Sequence, residues 1–266
     1  MDKFERLMSK PHLIGPKQQH YVPRFYLEGF TSEGVLAVFD RTKNEIRSRE
    51  LPSKVARVGH LYTFEDEQNR KRFDLEALFG YVEDEAKPIL KSLANGDRIS
   101  SAERESFANF LGLSAVRTPT AIAEASSVYA GFEKVRLNQT LGNERSALAV
   151  LRKMNGPHAD ETLLREQAKD VAKMIRDESY DVKVDPTFAL HRSLSVWHLV
   201  AEELLKRDWM FLHASGNGQS FLTSDSPIVL LSSLAFKNCQ PIGYGSPHAQ
   251  ILFPMTSKCA LVALGS

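Results

Sequence analysis

The chain predicts an α+β fold: a short N-terminal helix and a small β-hairpin, a central bundle of long helices, and C-terminal, mostly antiparallel strands packed as a sheet on those helices. Three observations carry this. Apolar residues alternate in LAVFDR (36–41) and EIRSREL (45–51), they recur at spacings of three and four from 73 to about 206, and after Asp208 they return to period two and short apolar runs. Strands, then helices, then strands is the order of an α+β protein rather than an alternating α/β one. A single domain is expected over 1–266, with a hairpin part at 17–64, a helical part at 72–207 and a strand part at 208–266.

Pro23 suits the first position of a short helix whose face carries Tyr26, Leu27 and Phe30. Thr42-Lys43-Asn44 joins the two hairpin strands, and HLYTF (60–64) reads as a third strand. Residues 73–93 place Leu75, Leu78, Phe79, Val82, Ala86, Ile89, Leu90 and Leu93 on one stripe, with a bend expected at Pro88 and a stop at Asn95-Gly96. Ser100 and Glu103 have the spacing of a capping box. The helix they open is expected to bend at Pro119 and continue to about 138. Two amphipathic helices fill 143–178, with a break at Asn155-Gly156-Pro157, and one more runs from Asp185-Pro186 to about Lys206. WMFLHA (209–214), SFLT (220–223), PIVLL (227–231), ILFP (251–254) and ALVAL (260–264) read as strands, the first two joined by Ser215-Gly216-Asn217-Gly218.

The most informative residue is Arg117. SFANFLGLSAV (106–116) has no charge and is apolar on nearly every side, the signature of a central helix. A guanidinium at its end needs an anionic partner, or its burial costs several kcal/mol. Such a cation is either an internal staple or half of a binding site.

Glu76 and Glu83 lie at the edge of the apolar stripe of residues 73–93, where a carboxylate is half buried. They stand about 10 Å apart along the axis, too far to share one ion. Glu83 is the sensible partner for Arg117, although it also precedes Lys87 by four, the favourable ion-pair order. In KQQHYVPRFYLEGF (17–30), His20 precedes a helix and Arg24 sits on its first turn, where an imidazole or a cation can meet a phosphate; taken alone, they read as surface residues flanking a helix start. Asp225 in TSDSP (223–227) either caps its own loop or presents a carboxylate to a cleft. His191 and His198 read as helix-surface or core histidines. There is no phosphate-binding glycine loop, no dinucleotide fingerprint, no nucleophile elbow and no His-Glu-x-x-His.

The formal net charge is +1, so no global field recruits nucleic acid or a membrane. Locally, residues 1–72 carry fourteen Lys/Arg against ten Asp/Glu, whereas 73–110 carry four against eight. The two cysteines, Cys239 and Cys259, stand in unrelated contexts, which fits a reducing, cytoplasmic setting. No apolar stretch has the length of a membrane span, and the N-terminus lacks the apolar core of a signal peptide.

HYVPRFYLEGF, LAVFDR, DLEALFGYVEDEAKPIL, LGLSAVRTP, FLTSDSP and ILFPMTSKCALV, in that order from about 17 to 264, resemble the microbial family grouped as domain of unknown function 4238. The HYVPR motif, followed by RTP and TSDSP, carries the resemblance; residues 140–185 match nothing specific. Met255 departs from a common leucine, and family members usually extend further past the last strand. The resemblance implies no established activity, and it draws attention to His20, Arg24, Glu76, Glu83, Arg117 and Asp225.

Three functional expectations follow. The first is a hydrolase, nuclease-like, acting on a phosphodiester or other phosphorylated substrate. Arg24 and Arg117 would clamp the anion, and His20 would act as general acid or base. Glu83 and Asp225 would hold a divalent metal ion or orient water. On this reading Arg117→Ala abolishes activity with little change in melting temperature. The second is a non-catalytic module that binds a nucleotide, nucleic acid or protein through Arg41, Lys43, Arg47, Arg49, Lys54 and Arg57. The third is a structural network in which His20, Arg24, Glu83, Arg117 and Asp225 lock helices to the sheet.

Overall fold

A computed structural model describes residues 3–216, 218–232 and 242–265. Cys239 and Asn217 lie outside the described residues. The fold is α+β, and the chain divides into two compact units, Met1–Ile122 with Arg192–Ser266, and Ala123–His191.

The larger unit is organised around α4 (Ser101–Val116), whose Phe107, Ala108, Phe110, Leu111, Gly112, Leu113, Ser114 and Val116 are all buried. Its start is fixed by the capping box: Ser100 Oγ accepts from the Glu103 amide while the Glu103 carboxylate accepts from the Ser100 amide. Preceding it, α3 (Asp74–Ala94) buries Phe79, Val82, Ala86, Ile89, Leu90 and Leu93, the stripe that its sequence spacing sets out. Pro88 lies inside α3 on its exposed side, and Gly96, at φ 84°, lets the chain turn away after the helix end.

On another side, α4 meets α9 (Trp197–Leu205) at close range. A Cβ on Gly112 would stand 2.8 Å from the Trp197 carbonyl oxygen and 3.0 Å from the Ala201 amide nitrogen. Gly112→Ala is therefore expected to destabilise the fold by about 2 kcal/mol, read from the urea midpoint. A variant as stable as the wild type would mean that α9 shifts freely.

The third neighbour of α4 is a four-stranded antiparallel sheet in the order β7 (Asp208–His213), β10 (Cys259–Leu264), β9 (Gln250–Pro254), β8 (Val229–Leu231). Trp209 and Phe253 bring its inner face against Phe107, with ring centroids 6.0 and 6.4 Å away, and Phe253 also packs edge-on to Phe110. Arg207, just before β7, is buried and donates to the carbonyls of Tyr244, Ser246 and Ala249, fixing the approach to β9. Arg104 donates to the Arg207 carbonyl and stacks 4.0 Å over Trp209.

The N-terminal pieces are short: β1 (Gln18–His20) pairs with β4 (Arg57–Gly59), and α2 (Arg24–Glu28) follows β1. β2 (Leu36–Asp40) and β3 (Glu45–Glu50) form the expected hairpin, with Asp40 Oδ1 accepting from the Thr42 and Lys43 amides in its turn. A 3-10 turn (Pro52–Lys54) leads to β4. The smaller unit contains α6 (Glu144–Asn155) and α7 (Glu161–Arg176), capped by Asn143 and Asp160 and packed through Ala147, Ala168 and Ala172.

Four sequence expectations are corrected. The helix carrying Arg117 does not bend through Pro119. It ends at Val116, and α5 (Pro119–Leu141) starts anew with Thr118 Oγ1 accepting from the Ala121 amide. A threonine cap followed by proline in the first turn is a helix start, and it replaces the bend. The 185–206 stretch is two helices, α8 (Pro186–Leu194) and α9, separated where the Ser193 and Ser195 hydroxyls bond the carbonyls of Val116 and Arg192. In HLYTF only Phe64 is in a strand: β5 (Phe64–Glu65) pairs with β6 (Lys71–Arg72), while His60, at φ 55°, turns the chain. SFLT makes no ladder. Its Phe221 amide bonds the Ser257 carbonyl, and β7 pairs with β10 instead.

Candidate functional site

The Arg117 side chain has no exposed surface. Its Nη1 donates to Glu83 Oε1 at 2.8 Å, across from α3, and its guanidinium carbon lies 5.4 Å from the Phe79 ring centre. Glu83 keeps a quarter of its side chain in solvent, so the pair is a buried cation held by a carboxylate that still reaches water. Arg117 Nε and Nη2 have no hydrogen-bond partner, nor do the buried Glu76 Oε2 and His20 Nε2. Unpaired buried polar atoms are few in folded proteins, and four of them fall on the three side chains that share the neighbourhood of Glu83.

The break after α4 is held on its carbonyls. Tyr62 Oη donates to the Arg117 carbonyl at 2.7 Å, and its ring packs edge-on to Phe79 at 4.8 Å. Tyr62 is itself fixed through its amide, which donates to Oε1 of the fully buried Gln19 at 2.7 Å; Gln19 Nε2 donates to Thr63 Oγ1. Gln19 therefore joins β1 to the loop carrying Tyr62, and Tyr62 joins that loop to Arg117.

Electrostatics bind these groups into one neighbourhood. Glu76 has its pKa pushed up to about 7, first by burial and then by the charge of Glu83, with Arg117 pulling the other way. Burial lowers the pKa of His20, as does the Arg57 cation that faces it across β1 and β4, while Glu83 opposes both. Burial raises the Tyr62 phenol, and Arg117 offsets part of that. Glu83 acts on all three. It also lines a cleft of about 360 Å³ with Arg24, Phe25, Glu28, Asp84 and Lys87.

Two of the residues singled out by sequence stand apart from the buried group. Arg24 is exposed and donates from Nε to Glu28 Oε1 at 3.0 Å, on the cleft side of Glu83. Asp225 is exposed, and its charge helps raise the pKa of Tyr21, after burial. Its loop is closed by Ser224, whose hydroxyl bonds both the amide and the carbonyl of Ser226. The same loop reaches the N-terminal block through Thr223 Oγ1, which lies 2.6 Å from Tyr26 Oη; Tyr26 Oη also donates to the Pro254 carbonyl at 2.7 Å. Among the described residues, no three His, Cys, Asp or Glu converge as a metal-holding group. Tyr26 and Tyr62 carry no sequence signal beyond membership in short apolar blocks, and Gln19, in the polar run Lys17-Gln18-Gln19-His20, carries none. The expected Arg117→Ala test also needs replacing, because so buried a side chain cannot be removed without disturbing the fold.

The fold and site define an α+β protein whose N-terminal strand and two central helices assemble around an arginine–glutamate pair. The chain belongs to the family of proteins of unknown function designated DUF4238, whose model matches residues 18–265. No curated protein matches the chain, and no solved structure does. Among the described residues, no helix is long and apolar enough to cross a membrane.

Proposed function

We propose that this protein is a hydrolase of phosphodiester or other phosphorylated substrates, nuclease-like in its chemistry, with Glu83 as its central group. The observation that carries the reading is the double reach of Glu83: one carboxylate lines the open cleft with Arg24 and Lys87, bonds the buried Arg117, and acts on both Glu76 and His20. Arg117 holds that carboxylate oriented. Arg24 and Lys87 supply cations for phosphoryl oxygens at the cleft. Glu83 takes the proton from the attacking water as the new P–O bond forms. Water at the open cleft returns one to the leaving oxygen as the ester bond breaks. His20, with its pKa lowered and Nε2 unpaired, is a neutral acceptor in reserve. A divalent cation at the cleft would take Glu83 as its protein ligand and water and phosphate for the rest, the usual manner of magnesium; Asp225, the second carboxylate expected from sequence, does not line the cleft. The buried, free Cys259 accords with a reducing, cytoplasmic setting.

Glu83→Gln tests this. The amide keeps the acceptor for Arg117 but cannot take a proton. Hydrolysis of bis-p-nitrophenyl phosphate or a fluorogenic oligonucleotide, with magnesium or manganese present, is expected to fall about 10²–10⁴-fold with an unchanged circular dichroism spectrum. Full activity in the variant, or none in the wild type on either substrate, removes the reading. The latter result leaves the structural network, which has its own support in the Tyr62 and Ser193 hydroxyls that pin the carbonyls of Arg117 and Val116.

A further inference from the structure

We propose that the β2–β3 hairpin, with the segment from Lys54 to Arg57 behind it, is a binding surface for single-stranded nucleic acid. This rests on the hydrolase reading only for the bond attacked; it names the polymer that carries that bond.

The surface is built from two complementary parts. Phe39 and Ile46 are register partners across the two strands, and they are 59% and 71% exposed. A paired aromatic and β-branched residue stabilises a hairpin most when its face is covered, yet this sheet has only two strands and the pair lies open. On the same segment Arg41, Lys43, Arg49, Lys54 and Arg57 are exposed, as is Arg47 on the opposite face of the hairpin beside Val38, against Asp40, Glu45 and Glu50 as the carboxylates of residues 36–59. Asp40 is occupied by the turn amides, and Glu50 by Arg47 at 3.2 Å. An open aromatic ring among excess cations is the pattern that stacks a splayed base and tracks its phosphates. Arg57, which follows the hairpin in sequence, is the register partner of His20 in the candidate site.

A duplex hides the base faces that Phe39 would stack on, so single strands are the favoured form. The experiment is fluorescence anisotropy on the full chain carrying Glu83→Gln, with labelled oligo-dT, oligo-dU and oligo-U, poly-glutamate as competitor, and a salt series. Phe39→Ala is expected to weaken single-strand binding roughly tenfold or more. Arg41→Ala with Lys43→Ala is expected to flatten the log–log salt slope by about 1.4. Preference between oligo-U and oligo-dU, which share a base, assigns the sugar. No binding by the parent, unchanged affinity and slope in both variants, or displacement by poly-glutamate as readily as by unlabelled oligonucleotide overturns the proposal. A protein that cleaves the small phosphodiester but binds no oligonucleotide loses this inference and keeps the hydrolase reading.

Discussion

Glu83→Ala is expected to lower the unfolding free energy by about 3 kcal/mol, read from urea denaturation near neutral pH. Removing one member of a buried ion pair typically costs ~3–5 kcal/mol, because the remaining charge is left without compensation. Here the remaining charge is Arg117, with no exposed surface and only one of its guanidinium nitrogens hydrogen-bonded. The lower end of the range applies because Glu83 keeps a quarter of its side chain in solvent. A double variant, Glu83→Leu with Arg117→Met, removes both charges at similar volume and should recover most of the loss. The single variant matching the wild type within half a kcal/mol, on the order of ordinary surface substitutions, would show that the guanidinium finds water or another partner.

The second large effect is a pH dependence centred on Glu76. Its pKa rises from the ordinary 4.5 to about 7 on folding, so the folded state holds the proton more tightly than the unfolded chain. The resulting stabilisation is fully present below about pH 4.5 and is lost as pH rises through about 7, amounting to ~3 kcal/mol at about 1.4 kcal/mol per pH unit. His20 acts in the opposite sense. Its lowered pKa means that the unfolded chain takes the proton first as pH drops below 6.5, so its contribution falls with acidity. Glu76→Gln separates the two, since the amide stays neutral while His20 is untouched. The stability of Glu76→Gln relative to wild type should climb across this window. A flat difference between pH 5 and 8 would show that Glu76 ionises as freely folded as unfolded.

What the sequence reveals about this molecule depends on how local the cause is. α3, the capping box at Ser100 and Glu103, and the hairpin turn at Asp40 are legible because spacing and side-chain chemistry within a few residues decide them. The Arg117–Glu83 pair is legible for a different reason. A cation ending a helix apolar on all sides has few places to go, and Glu83 lies at the edge of the neighbouring stripe. The breaks at Pro119 and at Ser195-Val196 are not legible from periodicity, which continues across both. Gln19 and Tyr62 escape notice because their bonds join residues 43 apart in a part of the chain with no long element. Arg207 looks like one more charge before a strand, and only the loop folded over it reveals three carbonyls around its guanidinium. Phe39 and Ile46 read as ordinary strand residues until the two-stranded sheet is seen to leave them open.

The hydroxyl of Tyr26 touches positions 197 and 228 residues further along the chain. During synthesis α2 therefore cannot complete these contacts until the strand ending at Pro254 has left the ribosome. At roughly 5–20 residues per second, that delay lasts on the order of ten seconds or more. Folding of the opening segment is a late event, and a nascent chain stalled before β9 would display HYVPRFYLEGF to chaperones and proteases.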